Sequence, residues 1–492
     1  MRDTTHDIDP ADPFAAFHAA LAAGGDSVDT LRAGLIGDGL RIDGPFGPQP
    51  LVYADYTASG RALMPVERFM LEEVLPYYAN SHTEASFCGA FMTRLRRAAR
   101  QVVAHGCGAG PDHAVVFCGA GATAGVNRLV HLLGAGPGTR VLLGPYEHHS
   151  NILPWRDSGA EVIEIVEGPE GGPDPEHLAA ALADSRGAAR VICAFSAASN
   201  ITGILADVPA LTRQVKAAGA CMVWDYAGGA PYLPIAMTPA PDAAIDALVL
   251  SPHKFPGGPG ASGVMVLRRE AVRTDAPSWT GGGTVRFVSS DAHDYTDSLE
   301  AREEAGTPNG PADIRAALAF LVKAAIGQTR MDRRHAELCA RIETAWRDHP
   351  RLQLLGAPGL AGLPIASFRL RDGRGGHVHQ QLVTRLLSDR FGIQARGGCA
   401  CAGPYVHRLL DIDAAQSARL RAAILNGDEV AKPGFTRLNL SVLMTDEKVD
   451  YILQAVRTLA DTAPDLAKGY TCDPARAIFT PRPDRSASRP DA

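Results

Sequence analysis

The sequence predicts an α/β protein, a mostly parallel mixed sheet with helices on both faces, followed by a smaller α+β domain. Three observations carry that reading. Seven short apolar runs recur between residues 113 and 270, and segments with helical spacing separate them. The chain has 492 residues, enough for two or three domains. Its composition, 46% hydrophobic and 21% charged, is ordinary for a globular protein and suits a large core.

The elements follow in order. Residues 1–50 hold a short amphipathic stretch, PFAAFHAALAA, and a Gly/Pro-rich lead-in, read as an N-terminal arm. Residues 51–310 form the large domain. Its runs are AVVFCG, RVLLGP, EVIEIV, RVICAFS, CMVWDY, DALVLS and SGVMVLRR. Segments such as TAGVNRLVHLLG and PALTRQVKAAGA lie between them with helical periodicity. The last two runs are close enough for a hairpin-like antiparallel edge. After GTPNG a long helix begins in ADIRAALAFLVKAAIGQ and opens the second domain, 311–465. The tail, 466–492, is rich in Pro, Arg and Ser and reads as mobile. No internal repeat is present.

Charge and composition exclude several classes. A net charge of −6 argues against nucleic acid as a partner. No run of about 18 apolar residues predicts a membrane span. The N-terminus, MRDTTHDIDPADPF, lacks the apolar centre of a signal peptide. The nine cysteines are scattered, mostly within apolar runs. That pattern suits reduced thiols in the cytoplasm better than a disulfide framework.

Four stretches carry chemistry. In CGAGATAGVNRLV, 118–130, a strand meets a glycine-rich turn and a helix. Its backbone N–H groups and the Thr123 hydroxyl form an anion site. The run also fits G-x-G-x-x-A through Gly119, Gly121 and Ala124, the dinucleotide pattern. That pattern wants an acidic residue ending the next strand, where this chain has Gly144. In LVLSPHKFPGG, Lys254 follows a strand, beside His253 and a glycine-rich loop. Partial desolvation there makes a lysine amine a nucleophile for a Schiff base; a surface loop lysine is the bland alternative. In CMVWDYAGG, Asp225 ends an apolar strand and needs either a buried cationic partner or a capping role. In YEHHSNILPW, His148 follows a strand and suits stacking on a planar ring; a core or surface histidine is the bland alternative. Its neighbour His149 does not create metal-ligand spacing. A phosphate site, a ring, a pyridinium partner and an aldehyde partner together describe pyridoxal 5′-phosphate. Ligands in open α/β sheets bind at this strand edge.

Taken together, EHHSNILPW, SNITG, the Asp225 strand, SPHK, EAGTPN and RGGCACAGP resemble the class V aminotransferase family of fold-type I PLP-dependent enzymes. The likeness runs over about residues 51–462 and leans towards cysteine desulfurases and selenocysteine lyases. It implies Lys254 as the Schiff-base residue, Asp225 on the pyridine nitrogen and His148 on the ring. It implies Thr123 and His253 at the phosphate, with Ala122 standing in for one residue of the usual phosphate-side Thr pair. Asn200 would lie near the substrate and the ring hydroxyl, and Arg437 would clamp the substrate carboxylate. Residues 396–404 fit R-x-G-x-x-C-A-x-P through Arg396, Gly398, Cys401, Ala402 and Pro404. The resemblance therefore makes Cys401 the persulfide carrier on a mobile loop, with Arg396 favouring its thiolate and near the substrate.

Besides Ala122, the chain departs from the family pattern at two positions and in one added segment. Gly228 stands where a Gln is frequent, Ala197 where a His is frequent, and an added stretch, DAAQSARLRAAILNG, separates Cys401 from Arg437. Cys399 is an additional thiol; a metal site from Cys399, Cys401 and His407 would lack a fourth ligand. The resemblance implies an amino-acid substrate, L-cysteine going to L-alanine. It also implies a sulfur-acceptor protein and a homodimer in which a partner loop, 281–287 or 304–309, completes the phosphate site. The alternative is another reaction on the same cofactor: an epimerase, a C–S lyase or an aminotransferase.

Overall fold

The computed structural model describes residues 12–80, 84–359 and 362–482. These divide into two compact units. The larger takes residues up to 36, then 56–200 and 204–334; the smaller takes 37–55, 201–203 and the chain from 335.

The larger unit is built on a seven-stranded sheet. Its strands are β1 (His113–Gly119), β2 (Thr139–Leu143), β3 (Glu161–Glu164), β4 (Arg190–Ser196), β5 (Cys221–Asp225), β6 (Ala247–Leu250) and β7 (Gly263–Arg268). Their spatial order is β1-β7-β6-β5-β4-β2-β3. From β6 to β3 every neighbouring pair is parallel, and β7 runs antiparallel between β6 and β1. All seven apolar runs are thus strands. The expected antiparallel edge is one place off: β7 pairs on both sides, and β1 forms the edge. Sequence spacing foresees the β6–β7 pair but not the return of β1 to the far side.

Every residue of β5 and β6 is buried. That is why these runs are continuously apolar rather than alternating, as in a sheet covered on both faces. The Trp224 indole N–H in β5 is satisfied by the Thr212 hydroxyl at 2.9 Å. Helix α1 (Gly121–Leu132) follows β1 directly and buries Val126, Leu129 and Leu132. Helix α2 (Gly310–Ile326) is buried over most of its surface, and Asn309 caps it through the Ala312 N–H at 3.3 Å.

The smaller unit has an antiparallel sheet of β8 (Leu352–Leu354), β9 (Ile365–Leu370), β10 (Arg396–Gly398) and β11 (Phe435–Asn439), ordered β8-β9-β11-β10. The helices Gln380–Phe391 and Asp446–Leu466 pack together, and the first also packs on this sheet.

Three boundaries differ from expectation. The N-terminal arm is divided: Phe14 and Phe17 pack on Phe69 in the larger unit, whereas the hairpin Arg41–Gly44 with Gly47–Pro50 falls in the smaller. The helix 310–326, expected to open the second domain, belongs to the larger unit. The tail begins with an antiparallel hairpin, Tyr470–Asp473 with Ile478–Pro481; residues 483–492 lie outside the described residues. Among the described residues, no helix is long and apolar enough to cross a membrane.

Candidate active site

The C-terminal ends of β4, β5 and β6 come level. Ser196 pairs with Asp225, and Asp225 with Val249. Loops leaving these strands and β1 and β2 enclose a pocket of about 200 Å³. It is lined by Ala122, Thr123, His148, Asn200, Asp225, His253 and Lys254. Seven residues singled out in the sequence therefore meet in one place.

One wall is the start of α1. Its N-cap, Ala120, makes no side-chain capping bond. The helix start thus faces the pocket with orphan N–H groups and the positive end of the helix dipole. Ala122 N–H is already engaged, donating to the Ser251 hydroxyl at 2.9 Å. Thr123 Oγ1 and Ser150 Oγ share a 2.7 Å hydrogen bond. Gly121 has φ +65°, and a Cβ there would lie 2.9 Å from Ser251 Oγ and 3.1 Å from the His253 ring. The cradle is shaped by a missing side chain.

The second wall is the loop after β2. Ser150 N–H donates to His148 Nδ1 at 3.1 Å, so the neutral ring carries its proton on Nε2. Behind His148 lies Glu147, 3% exposed. Its carboxylate accepts from Ser196 N at 2.7 Å, Ser196 Oγ at 2.6 Å and Asn151 Nδ2 at 2.7 Å. Asn151 Oδ1 in turn accepts the Trp155 indole N–H at 3.0 Å. The run EHHSNILPW is thus one buried network that fixes the histidine's loop. Burial pushes the Glu147 carboxyl up to about 8; the Ser196 and Asn151 hydrogen bonds oppose this and the charge of Asp225 adds to it.

The floor is Asp225, 4% exposed, whose Oδ1 accepts the Ala227 N–H at 2.7 Å. Desolvation pushes its carboxyl above the ordinary carboxylate range, against that hydrogen bond and the nearby positive charge of Lys254. Lys254 ends the single turn Pro252–Lys254, closed by its N–H on the Ser251 carbonyl at 2.9 Å. His253 is pushed down by desolvation and by Lys254, which favours its neutral ring.

The remaining predicted residues belong to the smaller unit. Arg396 and Arg437 are directly opposed across β10 and β11. Asp55 joins them: Arg396 Nε lies 3.0 Å from Oδ2, and Arg437 Nη2 lies 3.1 Å from Oδ1. Arg437 is buried and Arg396 half-exposed. Cys401 is exposed and Cys399 half-buried. The expected loop is a tight turn, because only residues 399–402 separate β10 from the helix Gly403–Leu409. Both His407 nitrogens are engaged, Nδ1 with the Gly403 carbonyl at 2.8 Å and Nε2 with Ser417 Oγ at 3.2 Å. The added stretch after Cys401 forms the helix Ala414–Leu425, with no buried residue. In EAGTPN, Glu304 is buried between Arg96 and Arg100 within its own unit.

Sequence reasoning missed Glu147, Ser196, Ser251 and Asp55. A carboxylate placed directly after an apolar strand was the readable signal for Glu147. Ser251 had none, since it meets Ala122 across 129 residues.

The family model for class-V aminotransferases matches residues 52–452. The chain belongs to the class V aminotransferase family. Members similar to it include a probable cysteine desulfurase of Pyrococcus abyssi, 29% identical over 76% of this chain and 90% of that one. A cysteine desulfurase of Serratia proteamaculans is 30% identical over 72% of this chain and 85% of that one. Among solved structures, the apo cysteine desulfurase of Thermococcus onnurineus superposes with a TM-score of 0.69 at 25% identity, covering 84% of this chain and 95% of that one. The cysteine desulfurase CsdA of Escherichia coli, at 22% identity and a TM-score of 0.67, shares the fold. The α/β class and its mixed sheet are therefore those of this family.

Proposed function

We propose that this chain is a pyridoxal 5′-phosphate enzyme that takes the sulfur of L-cysteine, leaving L-alanine, with Cys401 as the first acceptor. One observation carries the cofactor reading. An uncapped helix start, a buried carboxylate and a strand-end lysine line the same pocket. The donor set fits the group. The α1 start and Thr123 would hold the phosphate, with Ala122 shaping that wall and His253 beside it. Asp225 would pair with the pyridine nitrogen, an uptake of positive charge that its desolvated carboxylate favours. His148 would stack on the ring, Asn200 would reach its hydroxyl side, and Lys254 would bind it covalently through Nζ. When bound, the cofactor supplies a sink for negative charge at the substrate's α-carbon.

The chain's own groups do the rest. Lys254 Nζ takes the α-proton and returns it. Arg437 pairs with the substrate carboxylate as a planar fork, with Arg396 alongside. The Cys401 thiolate forms a bond to the substrate sulfur as the carbon–sulfur bond breaks. That electron pair stays on carbon, which gains a proton to become alanine. The desulfurase names of the relatives support this choice of substrate, and so does the exposure of Cys401. A sulfur-acceptor protein would then draw on Cys401. The reading includes a homodimer; the exposed Phe287 and Val288, at the end of the 281–287 loop, suit its interface. It also places the protein in the cytoplasm, in keeping with nine free thiols.

Borohydride reduction of the purified yellow protein tests the covalent role. It should fix the cofactor on the peptide bearing Lys254 and on no other, and Lys254→Ala should bind without fixation. Label on another lysine would refute the assignment.

A further inference from the structure

The turn between β10 and the helix Gly403–Leu409 holds two thiols, and the proposed function uses one. Ala402 N–H donates to the Cys399 carbonyl at 3.2 Å, closing a four-residue turn. The two residues inside it, Ala400 and Cys401, have φ of +49° and +55°. Consecutive left-handed residues make a type I′ turn, a place that normally holds Asn-Gly or Gly-Gly. Both ends of the turn are fixed. Gly398 pairs with Phe435 in the sheet, and Ala402 is fully buried where the helix begins. The turn therefore has little freedom to carry Cys401 far from Cys399.

Left-handed backbone between two cysteines has a chemical consequence. Helical winding of either hand sets residues i and i+2 about 5.4 Å apart at Cα. An extended residue between them would set about 6.7 Å. Disulfides accept about 4.4–6.8 Å, with the mode near about 5.5–6 Å. The Cα spacing expected of this turn lies within the range a Cys399–Cys401 disulfide accepts.

We propose that Cys399 is a resolving thiol, which frees the sulfur carried by Cys401 as hydrosulfide by closing a Cys399–Cys401 disulfide. The proposal rests on Cys401 receiving sulfur as described above. The Cys399 thiolate attacks Sγ of Cys401. A bond forms between the two Sγ atoms, and the bond from Cys401 Sγ to the terminal sulfur breaks. The terminal sulfur leaves with the electron pair as HS⁻ and takes a proton from water. It is reduced as the Cys399 sulfur is oxidised, and Cys401 Sγ keeps its oxidation state, so no outside oxidant enters. A small-molecule or protein dithiol then reopens the turn, leaving as its own disulfide. The enzyme would thus deliver sulfide when reductant is plentiful and rest closed when it is scarce.

The test uses holoenzyme freed of reductant and two sulfur sources. L-Cysteine loads Cys401 through the enzyme's own reaction; inorganic polysulfide persulfidates it directly. After alkylation, the mass of the peptide spanning 396–408 is read and free sulfide is measured. Wild type should give a peptide lighter by two hydrogens, resistant to alkylation, with sulfide equal to the disulfide formed. Dithiol should restore two alkylatable thiols. Cys399→Ser under polysulfide should keep an added sulfur on Cys401 and release sulfide only when thiol is supplied. A wild-type peptide that keeps the added sulfur, with Cys399 alkylated, would overturn the proposal. If L-cysteine yields no alanine while polysulfide still closes the disulfide, the resolving role stands and the desulfurase reading falls.

Discussion

Glu147 ties the stability of this protein to pH. Its carboxyl is raised to about 8 in the fold, first by burial, whereas an unfolded glutamate titrates near its ordinary value of 4.5. Between those two values the folded chain holds a proton that the unfolded chain has lost. Stability from this group is therefore full below about 4.5 and declines as pH rises towards 8. The slope is about 1.4 kcal/mol per pH unit while the states differ by one proton. Glu147→Gln removes the titration and keeps an oxygen acceptor for Ser196 N–H. Urea unfolding from pH 5.5 to 8 should show the wild type losing stability relative to this variant as pH rises. A difference that stays constant with pH would contradict the buried-acid account. Asp225 was legible because it ends an apolar strand, and Lys254 because it follows one in the next turn. Asp55 was not, because its partners Arg396 and Arg437 lie more than 300 residues along the chain.

At the scale of elements, the lysine turn depends on a residue distant in sequence. Gly60 N–H donates to the His253 carbonyl at 2.9 Å. A Cβ on Gly60 would lie 1.8 Å from the Phe255 carbonyl oxygen, a backbone atom that cannot step aside cheaply. Gly60→Ala should therefore cost about 1–3 kcal/mol, seen as a lower urea midpoint with an unchanged slope. It should also reduce the cofactor retained on purification, because the turn that shifts carries Lys254. A wild-type midpoint and full cofactor would show that the turn is not braced there. Strand existence was readable here because sheets covered on both faces demand unbroken apolar runs. Strand order was only partly readable. The close β6–β7 pair is a local property, whereas β1 joining the outer side of β7 depends on packing across 150 residues. The cysteine segment was legible as a motif and not as a conformation. Two left-handed non-glycine residues, at about 1 kcal/mol each, run against local preference and are held by the sheet and helix on either side.

For the whole molecule, the division into units departs most from what the sequence suggested. An amphipathic stretch with a Gly/Pro-rich lead-in reads as a detached arm, yet both units recruit parts of it. Phe14 and Phe17 are buried in one, and the 41–50 hairpin falls in the other. Composition reports that such a segment contains turns and cannot report which core receives its apolar side chains. The same limit applied to the tail, where a Pro-rich composition concealed a hairpin at 470–481. The pocket lining was more legible than the boundaries. His148, Asp225 and Lys254 are polar residues at or just beyond apolar strands, and all three line one pocket. The central claim is that lysine chemistry in the larger unit and thiol chemistry in the smaller serve one reaction. The most direct measurement is alanine formed from L-cysteine, with dithiol present, by wild type, Lys254→Ala and Cys401→Ser. The account predicts alanine in step with sulfide for wild type, and turnover reduced at least a hundredfold in both variants. Pyruvate in place of alanine, or full turnover by Cys401→Ser, would contradict it.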